Sequence, residues 1–311
     1  MRPQFSIIFF TTLAGMAQGL LFFLALLNLY SPTTQSAFLT NLALPIGFGL
    51  LSLGLLASFF HLGHPERAWR AAMMWKTSWL SREVIALPIV MLMTVLVYFY
   101  AYTSQVPKWL WIILILAIVV LWICTAKIYQ CIRFIQEWSH PSTMSNFVLL
   151  GMTSGWILFE LLLSVWGGSA ERMGDTSLSL ITFLLLSVSL CLKLWIWRRN
   201  KNLKPKSNLA TATGIKGPKI RQISMGLMGG SFNTREFFHH QTNLMISNLR
   251  KMILLCAYIL PIFIMGYEAF FPNTVFIALA LLVQYLGLLA ERWMFFAEAN
   301  HPQNLYYQRV S

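Results

Sequence analysis

The 311-residue chain is 57% hydrophobic and 11% charged, with a mean hydropathy of +0.64. A soluble domain of that length leaves too much surface in water to hide such a composition, so the chain reads as an integral membrane protein. Its net charge of +13 raises nucleic acid as a partner, but of the 23 Lys and Arg only Lys108 and Arg172 fall outside one set of alternate links. By the positive-inside rule that set, with both termini, is cytoplasmic. Attraction to the inner leaflet then accounts for the basicity without nucleic acid.

Apolar runs of about 20 residues are long enough to cross the hydrocarbon as helix, and they occur at 6–30, 38–60, 80–102, 109–132, 144–166, 176–197, 251–271 and 274–297. They predict an all-α, polytopic membrane protein: a bundle of eight transmembrane helices with a long basic cytoplasmic loop over 198–250. The first run is too long for a signal peptide and lacks a small-residue cleavage pattern, so it is expected to stay as helix one. Cys124, Cys131, Cys191 and Cys256 fall inside expected spans without the C-x-x-C spacing of zinc or iron–sulfur sites, and read as packing residues.

Helix one carries Gly15, Ala17 and Gly19, small residues that permit close helix approach, and Gln18, whose amide calls for a partner in the bundle or on a ligand. Helix two runs into a polar passage, His61-Leu-Gly-His-Pro-Glu-Arg-Ala-Trp-Arg70, that continues to Trp79-Leu-Ser-Arg-Glu83. Trp69, Trp75 and Trp79 suit the aromatic belt of a membrane interface. Arg67, Arg70, Lys76 and Arg82 suit lipid phosphates, Glu66 or a partner subunit. Helix three has Pro88 one turn inside, which bilayer helices tolerate. Helix four finishes in Lys127-Ile-Tyr129, whose side chains either donate to a bound carbonyl or act as a snorkelling Lys and a belt Tyr. Glu160, toward the outer end of helix five, suggests a local ion pair or a proton route. The link after Trp197 is polar as far as Lys219, whereas 220–240 mixes Met, Phe and Gly with charge. That composition suits a lipid-surface helix or a segment docked on a protein.

Haem in a membrane bundle usually leaves paired histidines at mid-span. His61, His64, His140, His239, His240 and His301 lie instead at or beyond the expected inner interface. No haem or metal is therefore expected in the spans, and a haem at that surface stays open. Gly226, Gly229 and Gly230 follow no expected strand and make no phosphate loop. A quinone asks for less: an apolar slot, a donor to a carbonyl and an acid that relays protons. An interfacial imidazole titrates near neutral pH, which suits His61 as donor. Glu83, partly withdrawn from water at the start of helix three, suits the relay. Antiparallel helices two and three would bring these two residues together. The structural alternatives are that His61 caps helix two and that Glu83 pairs with Arg82 or Arg67.

The pattern His61-Leu-Gly-x-Pro-x-Arg67-Ala followed by Ser78-x-Leu-Ser81-x-Glu83 resembles the signature of the membrane-anchor subunits of dimethyl-sulfoxide reductases and their polysulfide-reductase relatives. The similarity extends to Lys127-Ile-Tyr129 and to Arg292. It implies an anchor without haem or metal in a bacterial inner membrane, and a quinone or quinol site using His61 and Glu83. It also implies an iron–sulfur subunit that feeds a molybdopterin-bearing catalytic subunit. Gly229-Gly-Ser-Phe-Asn-Thr-Arg-Glu-Phe-Phe-His239 and the tail Ala297-Glu-Ala-Asn-His-Pro-Gln-Asn are more similar to the anchor of cytoplasm-facing sulfite dehydrogenases of sulfur-oxidising bacteria.

The expected function is therefore the quinone-reactive anchor (ubiquinone or menaquinone) of a three-subunit molybdenum oxidoreductase, running electrons from sulfite to quinone. The catalytic and iron–sulfur subunits are expected on the cytoplasmic face. His64, Arg67, Arg82, Lys127, Tyr129 and Gln18 are candidate supporting residues for the site, and Arg70, Arg235, Phe237 and Arg292 are candidates for partner docking. The alternatives are a quinol-oxidising reductase anchor, a transporter using Glu160 and Lys193, and a passive tether.

Overall fold

The computed structural model describes residues 3–30, 34–60, 62–103, 105–171, 176–204, 206, 208–217, 219–221, 223 and 241–302. All regular structure among them is helical, and eight helices are long and apolar enough to span a membrane. They are α1 (Phe5–Tyr30), α2 (Thr34–Phe59), α3 (Trp79–Thr103), α4 (Lys108–Gln130), α5 (Pro141–Glu171), α6 (Thr176–Lys201), α7 (Asn243–Glu268) and α8 (Thr274–Ala297). A short 3₁₀ stretch, Pro65–Ala72, lies in the passage between α2 and α3. Large apolar side chains such as Phe99, Leu116, Leu184 and Phe263 are exposed, as suits helices covered by lipid where protein does not cover them.

The bundle is built around α1, which packs on α2, α4, α5 and α8 and buries Leu20, Leu21 and Leu24 completely. Its contact with α5 is made backbone to backbone. A Cβ on Gly19 would meet the Gly151 carbonyl well inside van der Waals contact, and one on Gly155 would meet the backbone of Gly19 and Leu20. Small residues four apart on both helices therefore allow the approach expected of Gly15 and Gly19. Ile8, Ile135, Trp138, Phe296 and Ala299 form one cluster, which gathers the start of α1, the α4–α5 link and the end of α8 at the same end of the bundle. We call this end the terminal face.

Several helices exceed their apolar runs, and at two of them the reason is visible. α7 starts at Asn243, not near 251, because Thr242 caps the Met245 amide and the polar residues that follow continue the helix beyond the hydrocarbon. α6 continues to Lys201, placing Arg198, Arg199 and Lys201 in its last turn, where cations favour a helix C-terminus. Of the cysteines read as packing residues, Cys124 is buried, Cys256 half-buried and Cys131 and Cys191 exposed; all four are free thiols. Hydropathy places a residue in a span but does not say which side of the helix it occupies.

Candidate functional site

Helical spacing puts residues 82, 85, 86 and 89 on one stripe of α3, and 120, 123 and 124 on one stripe of α4. The stripes face each other. With Trp75 and Trp79 they enclose a cleft of about 300 Å³ with almost wholly apolar walls. Lys127 continues the α4 stripe one turn nearer the terminal face and is half-buried.

Glu83 turns the other way. Its side chain faces the core at 5% exposure, and the Thr125 hydroxyl donates a hydrogen bond to its carboxyl. Cys124 lines the cleft and the next residue, Thr125, holds the acid, so one helix wall separates the carboxyl from the apolar slot. A carboxyl in such a place is costly without a charged partner. Among the described residues no Lys, Arg or His forms an ion pair with it.

The residues expected around it divide into three groups. Arg82 does not pair with Glu83: its guanidinium stacks 4.2 Å from the Trp79 ring centre and donates to the carbonyls of Trp75 and Lys76 at 2.9 and 2.8 Å, bracing the mouth of the cleft. His64 and Arg67 are exposed and both approach Glu66, at 3.0 and 3.8 Å, so they are not brought to the acid. Tyr129 is not a belt residue. Its ring stacks on Phe147 and meets Trp138, Phe295 and Phe296 edge-on, all inside the bundle. Gln18 is buried on α1, and its side-chain oxygen has no hydrogen-bond partner among the described residues. His61, Arg235 and Phe237 lie outside the described residues, as does most of 220–240.

Of the residues proposed for docking, Arg70 is exposed beside Trp69, with Met73, Met74 and Trp75 also exposed nearby in the chain. Arg292 corrects the expectation: it is 2% exposed, lies 3.6 Å over the Phe147 ring and approaches Glu291 at 3.5 Å. It serves the interior and offers no surface to a partner. His140 caps α5, accepting the Ser142 amide at 3.1 Å, and burial together with Arg199 pushes its pKa below the usual imidazole value. Glu160 accepts a 2.6 Å bond from Thr182, which in turn accepts one from Trp156.

One pairing was not anticipated from the sequence, although Lys193 itself was singled out. Lys193 on α6 and Glu291 on α8 form a fully buried ion pair at 2.6 Å, to which Asn146 of α5 adds a 3.0 Å hydrogen bond. The signal was present: two opposite charges inside apolar runs, each near the same end of its helix. Among the described residues no three His, Cys, Asp or Glu side chains are grouped as a metal site.

The chain matches the family model described as DMSO reductase anchor subunit (DmsC) over residues 1–298. It belongs to the DMSO reductase anchor family. This anchor is also 42% identical, over the full length of both chains, to a sulfite dehydrogenase subunit of Allochromatium vinosum. Both findings agree with the resemblance read from the His61–Glu83 passage, and with it a membrane anchor of an oxidoreductase complex is shown.

Proposed function

We propose that this anchor is the quinone-reactive subunit of a three-subunit molybdenum and iron–sulfur complex in a bacterial inner membrane, passing electrons from sulfite to quinone. The observation that carries the proposal is the apolar cleft between α3 and α4, with a buried acid directly behind its wall. A quinone head group fits between the stripes below Trp75 and Trp79, its tail following Ile85, Ile89 and Val120 toward lipid. His61 and Lys127 are the donors for its carbonyl, and Glu83 holds the proton to be delivered. Each quinone takes up two electrons and two protons to become quinol.

The terminal face is cytoplasmic in this proposal, following the charge placement. The iron–sulfur subunit, itself electron source and neighbour of a molybdopterin subunit, docks there on the 3₁₀ stretch around Trp69 and Arg70, together with 220–240. Sulfite and water give sulfate, two protons and two electrons; uptake of two protons from the same side makes turnover electrically neutral. The sulfite direction rests on the full-length relative, since the family description alone fits a quinol-oxidising reductase equally well.

The test is Glu83→Gln in the assembled complex, with sulfite as donor and either a short-chain ubiquinone or a one-electron dye as acceptor. Quinone reduction should fall by at least about a hundredfold, the usual scale for loss of a proton-transfer group, with dye reduction intact. A normal quinone rate would sink the site.

A further inference from the structure

The cleft leaves unused a second polar region, where α5, α6, α7 and α8 meet near the terminal face. There two cations face one anion: Lys193 and Arg292 approach opposite oxygens of Glu291 at 2.6 and 3.5 Å, and Asn146 donates to the first of these oxygens. Glu291 Oε2, Arg292 Nη1 and Tyr258 Oη are buried without a hydrogen-bond partner among the described residues. Buried groups of this kind normally bond to protein or to held water. Tyr258 comes from a π-helical stretch of α7, Leu254–Ile259, against whose Ala257 backbone α8 packs at Gly287. Such stretches recur at functional positions.

Toward solvent, Lys193 borders a chamber of about 20 Å³, room for one water. Asn146 and Lys193 form its buried wall, and the half-buried Glu137, Asn200 and Glu298 form its outer one. Toward the core, Arg292 lies on Phe147, on which Tyr129 stacks. Tyr129 lies one turn along α4 from Thr125, whose hydroxyl holds Glu83. Polar groups thus run from the surface inward as far as Arg292, and the single ring of Phe147 separates them from Tyr129 on the helix that holds the acid.

We propose that Asn146, Lys193, Glu291 and Tyr258 form a hydrated proton inlet from the terminal face toward Tyr129 and Glu83. The inlet rests on the quinone proposal, since it supplies the two protons that accompany two electrons into each quinone. Lys193 and Glu291 keep their charges and orient water. The Tyr258 hydroxyl accepts a proton on its oxygen and releases its own inward, so every group ends a cycle as it began.

Tyr258→Phe is the test, because it removes a hydroxyl that bonds to no described protein group. A purely structural cluster predicts a complex at least as stable and just as fast. The inlet predicts an intact complex whose sulfite-driven reduction of short-chain ubiquinone falls on the order of a hundredfold, the low end for a lost proton-transfer group. Its rate ratio between H₂O and D₂O should rise, while reduction of a one-electron dye by the iron–sulfur subunit stays unchanged. Asn146→Leu, which fills the chamber, should act in the same direction. Normal quinone rates and isotope ratios in Tyr258→Phe overturn the inlet. Glu83→Gln in the same assay keeps the two ideas apart: loss there with a normal Tyr258→Phe refutes the inlet alone, and a normal rate there refutes the quinone site.

Discussion

Replacing Glu291 by Gln should damage this protein more than replacing Lys193 by Met, although the two residues share one ion pair. At 2.6 Å from Lys193 and 3.5 Å from Arg292, the carboxylate gains roughly 6 and 5 kcal/mol of gross attraction at an effective dielectric of about 20. Desolvation offsets most of it. Lys193→Met leaves one anion beside one cation, with Asn146 still donating to the carboxylate. Glu291→Gln leaves two buried cations and no anion, an uncompensated charge of the kind that costs about 3–5 kcal/mol. The Met variant should lose only about 1–2 kcal/mol, in the ordinary range for a single substitution. Unfolding of a solubilised membrane complex is irreversible, so the assay is apparent Tm at one fixed scan rate. Glu291→Gln should melt lowest, and adding Lys193→Met to it should raise Tm by removing one of the two stranded cations. A Met variant as unstable as the Gln variant, or no recovery in the double variant, refutes the charge accounting.

Ala86→Trp places an indole in the cleft and should raise KM for short-chain ubiquinone by about tenfold or more, the scale of steric rejection in an apolar pocket; an unchanged KM would mean the ring binds elsewhere. Gly155→Val forces α1 from α5 and should cost at least about 1–3 kcal/mol as overpacking, read as lost complex or lowered Tm; Gly49→Val, where no atom crowds the added carbon, should not. His140 accepts an amide hydrogen bond that a protonated ring cannot accept, and its folded pKa lies below the ordinary value of about 6.5. The unfolded chain then binds the proton more readily, so this contribution is complete above about pH 6.5 and shrinks as pH falls. Comparison of Tm at about pH 7 and pH 5.5 should show a smaller drop in His140→Asn, which keeps a cap without titrating; equal drops would remove His140 from the pH response.

The membrane class, the eight spans and the family were legible because each depends on local order along the chain. Hydropathy is a property of about 20 consecutive residues, and the His61–Glu83 pattern lies in one short link. Glu83 was picked out for the same reason: an acid at the margin of an apolar run is visible whatever surrounds it. The ends of α6 and α7 were less legible, since caps and basic last turns carry a helix past its apolar stretch. For Arg82 and Arg292 the charge was visible and its use was not. Both looked like surface cations, yet one braces a loop through backbone carbonyls and the other lies on Phe147 inside the bundle.

By itself, then, the amino-acid order determined which segments are apolar enough to enter the membrane and which short polar link carries the family pattern, because transfer of a helix into lipid depends on that helix alone. Tertiary structure decided which side of α3 Glu83 faces, that a cleft opens on the other side, and that Lys193, Asn146 and Glu291 meet from three helices. Those facts depend on how each helix is rotated about its axis. In a chain apolar all round, rotation is set by contacts such as Gly19 against Gly151 and Gly287 against Ala257, between residues far apart in sequence.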